Sequence, residues 1–112
     1  MNIKIGNIYL ANLDPTIGSE INKTRPVAVI SNDINNKYSN TITILPITSN
    51  TESIYPFEVF LEAGIANLPK DSKVKADQIR TIDKLRLIKE IGSLSANHLK
   101  EIEEAVRIHL LL

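Results

Sequence analysis

Everything before Ser95 in this chain is written in short apolar runs, each closed by a turn signal, and that pattern limits the fold more than any single residue does. Alternating runs of about four to eight residues are strands rather than helices. "NIYLANL" sets Ile8 and Leu10 on one side and Tyr9 and Ala11 on the other. It then meets "DPTIGSE", where Asp-Pro opens a turn and Gly18 relaxes it. "RPVAVIS" reads as a second strand and "TITILPITS" as a third. Pro46 in the third would remove a ladder donor, which predicts an edge or a bulge there. The Asn-rich "NDINNKYSN" between them reads as a loop with one helical turn at most. "FEVFLEA" alternates as a fourth strand and "AGIANLPKD" connects onward. "SKVKADQIRTID" reads as a strand that bends near Asp77, and "LRLIKEIGSL" as a short helical turn followed by a small strand.

The C-terminal end changes period. Ser95 is a good N-cap for a helix running to about Leu110. Leu99, Ile102, Val106 and Leu110 share one face, flanked by Ala105 and Ile108, while Glu101, Glu103 and Glu104 point away or sideways. At about 1.5 Å per residue such a helix is roughly 24 Å long, enough to lie across a small sheet. The expected fold is therefore mainly β with a C-terminal α-helix, a strongly bent sheet or small barrel. The 112 residues make one domain, 1–112. With aromatics at only 4% and no Trp, the core must be built from Ile, Leu and Val. The apolar tail "HLLL" suggests a homodimer that hides part of it.

Composition removes several classes of chemistry. There is no cysteine, so disulfides and thiolate metal sites are excluded. The two histidines, His98 and His109, both lie on the terminal helix and read as surface or interface groups. No metal site and no cofactor are expected. "MNIKIGNIYL" lacks the long apolar centre of a signal peptide, and no stretch is long enough to span a membrane, so a cytoplasmic protein is expected. Formal net charge is zero, yet Lys70 to Lys89 carries seven basic residues against three acidic ones. That local excess leaves room for a basic surface.

The common enzyme constellations are missing: no Gly-rich phosphate loop, no HExxH and no cysteine nucleophile. The polar residues that remain at strand ends and bends are Glu20, Arg25, Thr48, Ser49, Lys75, Asp77, Gln78 and Arg80. Each also has a purely structural reading. Arg25 would pair with Glu20, Thr48 would close its strand with a side-chain turn, and Lys75 would pair with Asp77 on one side of a strand.

A resemblance adds to this reading. "GNIYLANLDPTIGSEINKTRPVAVISND", "TITILPITS" and "VKADQIRTIDKLRL", in this order, resemble the MazF/PemK/Kid toxins of bacterial toxin–antitoxin pairs, and the final helix fits too. The resemblance implies the SH3-like small β-barrel of these toxins, a homodimer, and a metal-independent endoribonuclease that cuts single-stranded RNA. It also implies a cognate MazE-like antitoxin. By the same resemblance Arg25, Thr48, Asp77 and Lys75 fall on catalytic positions. Ser19, Glu20, Lys23, Ser49, Gln78 and Arg80 are the expected RNA-binding residues. Lys75 stands where Kid-like members have arginine, and Ser19 where they have histidine. The alternatives on the same fold are a non-catalytic member that binds antitoxin or RNA without cutting, which Ser19 and Lys75 would allow and Arg25 and Thr48 argue against, and a gyrase-binding, CcdB-like toxin, though those toxins need a terminal Trp-Gly-Ile and this chain ends Leu-Leu-Leu.

Overall fold

The alternation read from the sequence becomes two cores on opposite faces of one sheet. The computed structural model describes all 112 residues. Its strands are β1 (Asn7–Asn12), β2 (Thr24–Val29), β3 (Thr41–Thr48), β4 (Glu58–Leu61), β5 (Ser72–Lys75), β6 (Arg80–Asp83) and β7 (Leu87–Ser93). The helices are α1 (Asp33–Tyr38) and α2 (Ala96–Leu110), with single 3₁₀ turns at Ile65–Asn67, Ala76–Gln78 and Lys84–Arg86. Ile8, Ala28, Leu45 and Ile47 point to one face and meet Ile102 and Ala105 of α2. Their neighbours Tyr9, Ala11, Val27, Val29, Ile42 and Ile44 point to the other, where Ile82 and Leu87 close over them. Because both faces are covered, the central strands read as nearly continuous apolar runs.

All pairings are antiparallel, in the order β4-β5-β3-β2-β1-β7, with β6 also on β3. β4 and β7 are the outer edges and no ladder joins them. The expected barrel is thus an open, strongly bent sheet. The bend follows from β3. Its Thr41–Ile44 segment pairs with β6, and its Ile47–Thr48 segment pairs with β5. Pro46 falls in the gap between these two partners. It was expected at an edge or bulge, yet β3 is central. A residue without a donor is tolerated where the ladder changes partner.

The bend expected near Asp77 is the 3₁₀ turn Ala76–Gln78, which ends β5 and re-aims the chain into β6. α1 is longer than the single turn expected, because the Asn32 side chain accepts from Asn35 N–H at 2.8 Å and starts a six-residue helix. α2 begins as expected, with Ser95 accepting from His98 N–H. Its packing face differs at the end. Ala105, read as a flank, is buried, whereas Leu110, read as part of the stripe, is 45% exposed. Leu110, Leu111 and Leu112 face solvent in this single chain. No helix is long and apolar enough to cross a membrane.

Candidate active site

Two adjacent strands bring Arg25 and Thr48 together. The β2–β3 register pairs Val27 with Pro46. Beyond that pair, the ends of the two strands bring Arg25 and Thr48 to one cleft. Both side chains line a cleft of about 170 Å³ with Ser49, Leu68, Pro69, Lys70 and Ser72. Pro26 fixes the backbone after Arg25, and Arg25 Nε donates to the Asn22 carbonyl at 3.2 Å. The pairing of Arg25 with Glu20 is not formed. Glu20 instead accepts from Ile17 N–H at 3.1 Å and shapes its own loop. Thr48 Oγ1 accepts from Asn50 N–H at 3.2 Å, so it does close its strand with a turn. The Thr48 hydroxyl donates to no protein group, and the terminal Arg25 nitrogens make no hydrogen bond.

The second group sits at the end of β5. Lys75 Nζ lies 2.8 Å from Glu58 Oε2 and 3.7 Å from Asp77 Oδ1. The expected Lys75–Asp77 pair exists, but Lys75 is held more closely by Glu58. Glu58 has a fully buried side chain. Its Oε1 accepts from Lys73 Nζ at 3.1 Å and from Tyr55 N–H at 3.0 Å. Burial alone would push the Glu58 carboxyl up. The hydrogen bonds from Lys75, Tyr55 N–H and Lys73, with the Lys75 charge, outweigh it and hold the group below the usual carboxylate range. Burial likewise works against the Lys75 ammonium. The Glu58 hydrogen bond and the charges of Asp77 and Glu58 prevail and raise its pKa. Asp77 Oδ1 is buried without a hydrogen-bond partner.

Asp77, Gln78 and Arg80 share a second cavity of about 440 Å³ with Glu20, separate from the Arg25–Thr48 cleft. Gln78 and Arg80 are turned toward the β1–β2 loop. Gln78 Oε1 accepts from Ile21 N–H at 3.2 Å and its Nε2 donates to Ser19 O at 3.3 Å. Arg80 Nη1 donates to Leu13 O at 3.1 Å. Arg86, which sequence reasoning did not single out, donates to the carbonyls of Asn12 and Asp14. These side chains fasten the loop that carries Ser19, Glu20 and Lys23. Lys23 occupies a left-handed backbone conformation, φ 64°, and its N–H donates to Asp14 Oδ1. Ser19, Glu20 and Lys23 are exposed at the rim.

Glu58 and Lys73 were missed by sequence reasoning. The only signal was a glutamate in the alternating run "FEVFLEA", whose partners become visible when the β4–β5 register sets Glu58 opposite Lys75 and Phe60 opposite Lys73. Tyr55 and Phe57 stack with centroids 5.4 Å apart, and Phe57 leans on His109. His98 Nδ1 lies 3.0 Å from Ser95 Oγ at the helix start. No three His, Asp or Glu side chains converge closely enough to chelate a metal ion.

A preorganised guanidinium and a hydroxyl in one cleft suit the binding of a phosphodiester. The sequence pattern of the PemK-like, MazF-like toxins of type II toxin–antitoxin systems matches residues 4–110. The chain belongs to that family, whose MazF members are endoribonucleases. Over 110 residues it is 43% identical to the endoribonuclease MazF9 of Mycobacterium tuberculosis, a match spanning 94% of this chain and 93% of that protein. The fold is similar to that of MazF from Deinococcus radiodurans, with a TM-score of 0.87 and 26% identity over 100% of this chain and 99% of that one. It is also similar to a chain of the MazE–MazF structure from the same organism, with a TM-score of 0.81 and 26% identity over 100% of this chain and 98% of that one.

Proposed function

We propose that this toxin cleaves single-stranded RNA without a metal ion, at a short sequence, by attack of the 2′-OH on the adjacent phosphorus. The observation that carries this reading is the meeting of Arg25 and Thr48 in one cleft. In the step proposed, the 2′-oxygen bonds to phosphorus as its proton passes to a base, and the bond from phosphorus to the 5′-oxygen breaks. The 5′-oxygen leaves as an alcohol after taking a proton from Arg25 or from water. The products are a 2′,3′-cyclic phosphate and a 5′-OH end.

Arg25 supplies a planar fork for two phosphate oxygens as negative charge builds. Its position needs little reorganisation, because Pro26 and the Asn22 carbonyl already hold it. Thr48 donates its hydroxyl proton to a phosphate oxygen. Asp77 is the assigned base, which requires the RNA strand to reach from the Glu20–Asp77 cavity to the Arg25–Thr48 cleft. Lys75 acts as a fixed cation rather than a proton donor, since its raised pKa makes the ammonium reluctant to release a proton. Ser19, Glu20, Lys23 and Ser49 line the path of the strand from the β1–β2 loop to the cleft, and the stacked Tyr55 and Phe57 offer a face to a base. A second copy of the chain and a MazE-like antitoxin are the proposed partners. The MazE–MazF likeness supports the latter.

The test is cleavage of a long, largely unstructured RNA by purified protein in EDTA, with both new ends mapped, beside R25A. Discrete cuts with 5′-OH ends, absent from R25A, are expected. A well-folded wild-type protein that leaves the RNA intact would overturn the reading.

A further inference from the structure

Glu58 touches neither cavity assigned to RNA, yet its buried carboxylate joins three segments. Oε1 takes Lys73 Nζ of β5 and the Tyr55 N–H of the β3–β4 connection, and Oε2 takes Lys75 Nζ. Lys73 Nζ also donates to Ser53 O at 2.7 Å, which ties the same connection down a second time. One consequence lies at Asp77. The Lys75 ammonium sits within hydrogen-bond distance of Glu58 but 3.7 Å from Asp77 Oδ1, which is buried and unpartnered. Two carboxylates face one ammonium, and Glu58 wins because the β4–β5 register places it directly across from Lys75.

We infer that Glu58 is a positioning residue of the ribonuclease site, which holds the Lys75 ammonium off Asp77 and so keeps the Asp77 carboxylate out of a closed ion pair. This rests on the assignment of Asp77 as the base. A carboxylate hydrogen-bonded directly to an ammonium is a weaker proton acceptor than one merely near it. With Glu58 neutralised, Lys75 has one carboxylate left and closes on it.

The Glu58→Gln variant tests this in two independent ways. In its crystal structure, Lys75 Nζ is expected within hydrogen-bond distance of Asp77 Oδ1. In steady-state cleavage of an RNA oligonucleotide, kcat is expected to fall ~10–100-fold with KM nearly unchanged, the size of loss that follows a small misplacement of reacting groups. A variant that only loosened the β3–β4 connection would raise KM instead. Lys75 unmoved in the crystal, or kcat at the wild-type value, would overturn the inference. Wild-type protein without ribonuclease activity would overturn the functional reading, while the Lys75–Asp77 distance still decides the positional claim. Should Glu58→Gln fail to fold, Glu58→Asp keeps the charge but is one methylene short of Lys75. It is expected to show the same movement and a smaller kcat loss, and an unchanged Lys75 position there would count equally against the inference.

Discussion

Arg25 Nε donates to the Asn22 carbonyl at 3.2 Å, so the guanidinium is anchored by its own chain rather than by an acidic partner. Its other NH groups and its charge are uncommitted.

Replacing Arg25 with Ala is expected to cost about 3–4 kcal/mol of transition-state stabilisation, by comparison with loss of an oxyanion donor. The fold should survive, since the side chain is only partly buried. R25K keeps the charge but not the fork and should restore little. Cleavage rates beside far-UV circular dichroism check both statements, and full activity in folded R25A would refute the assignment.

Thr48 has two jobs that substitutions can separate. Its Oγ1 accepts from Asn50 N–H, and its proton is proposed for phosphate. T48S keeps both and should cut at close to the wild-type rate. T48V keeps the shape and loses both, with an expected loss of ~1–3 kcal/mol in kcat/KM for hydrogen bonds to a charged group. Equal rates for the two variants would remove Thr48 from the mechanism.

The Glu58 cluster predicts an asymmetric pH dependence of stability. The Glu58 pKa is lowered in the fold, so its contribution is complete above the ordinary carboxylate pKa and is lost as pH falls through the lowered value. The Lys75 pKa is raised, so its contribution is complete below the ordinary lysine pKa and is lost only as pH rises through the raised value. Around neutrality both are present. E58Q should therefore be less stable than wild type there by about 3 kcal/mol, the lower end for breaking a buried pair. Urea denaturation at a series of pH values should show this gap closing in acid. A constant gap down to the acid limit would show that the charge is not responsible.

Gly92 on β7 is held by lack of space. A Cβ there would lie 2.5 Å from the backbone carbonyl oxygen of Ala66, a part of the chain that cannot rotate away. G92A should destabilise the protein by at least ~1–3 kcal/mol through forced backbone movement. Thermal unfolding of G92A reads this directly, and an unchanged midpoint would mean the turn at Ile65–Asn67 yields more easily than its packing against β7 implies.

What was legible in the sequence was what neighbouring residues decide among themselves. Ser95 caps α2 because its partner, His98 N–H, is three residues away. The strand alternation of Ile8 through Ala11 and the break after Lys75 are likewise local. Leu110 misled because helical period says which face a residue is on, and not how far the rest of the chain covers it. Pro46 signalled a missing ladder donor, but the edge or bulge inferred from it is instead the point where central β3 exchanges β6 for β5, which no local pattern shows.

By itself the sequence determined the strands and the terminal helix, the bend at Asp77, the apolar core stock of Ile, Leu and Val, and the family motifs with Arg25 and Thr48 in them. Only the tertiary structure decided that the sheet stays open, that Gln78 and Arg80 fasten the β1–β2 loop, and that Glu58 commands Lys73 and Lys75 from 15 and 17 residues away. The reason is physical. Dihedral preference and alternation act over a few residues, whereas the partner of a buried charge is chosen by strand register, which is fixed only when the whole sheet has assembled.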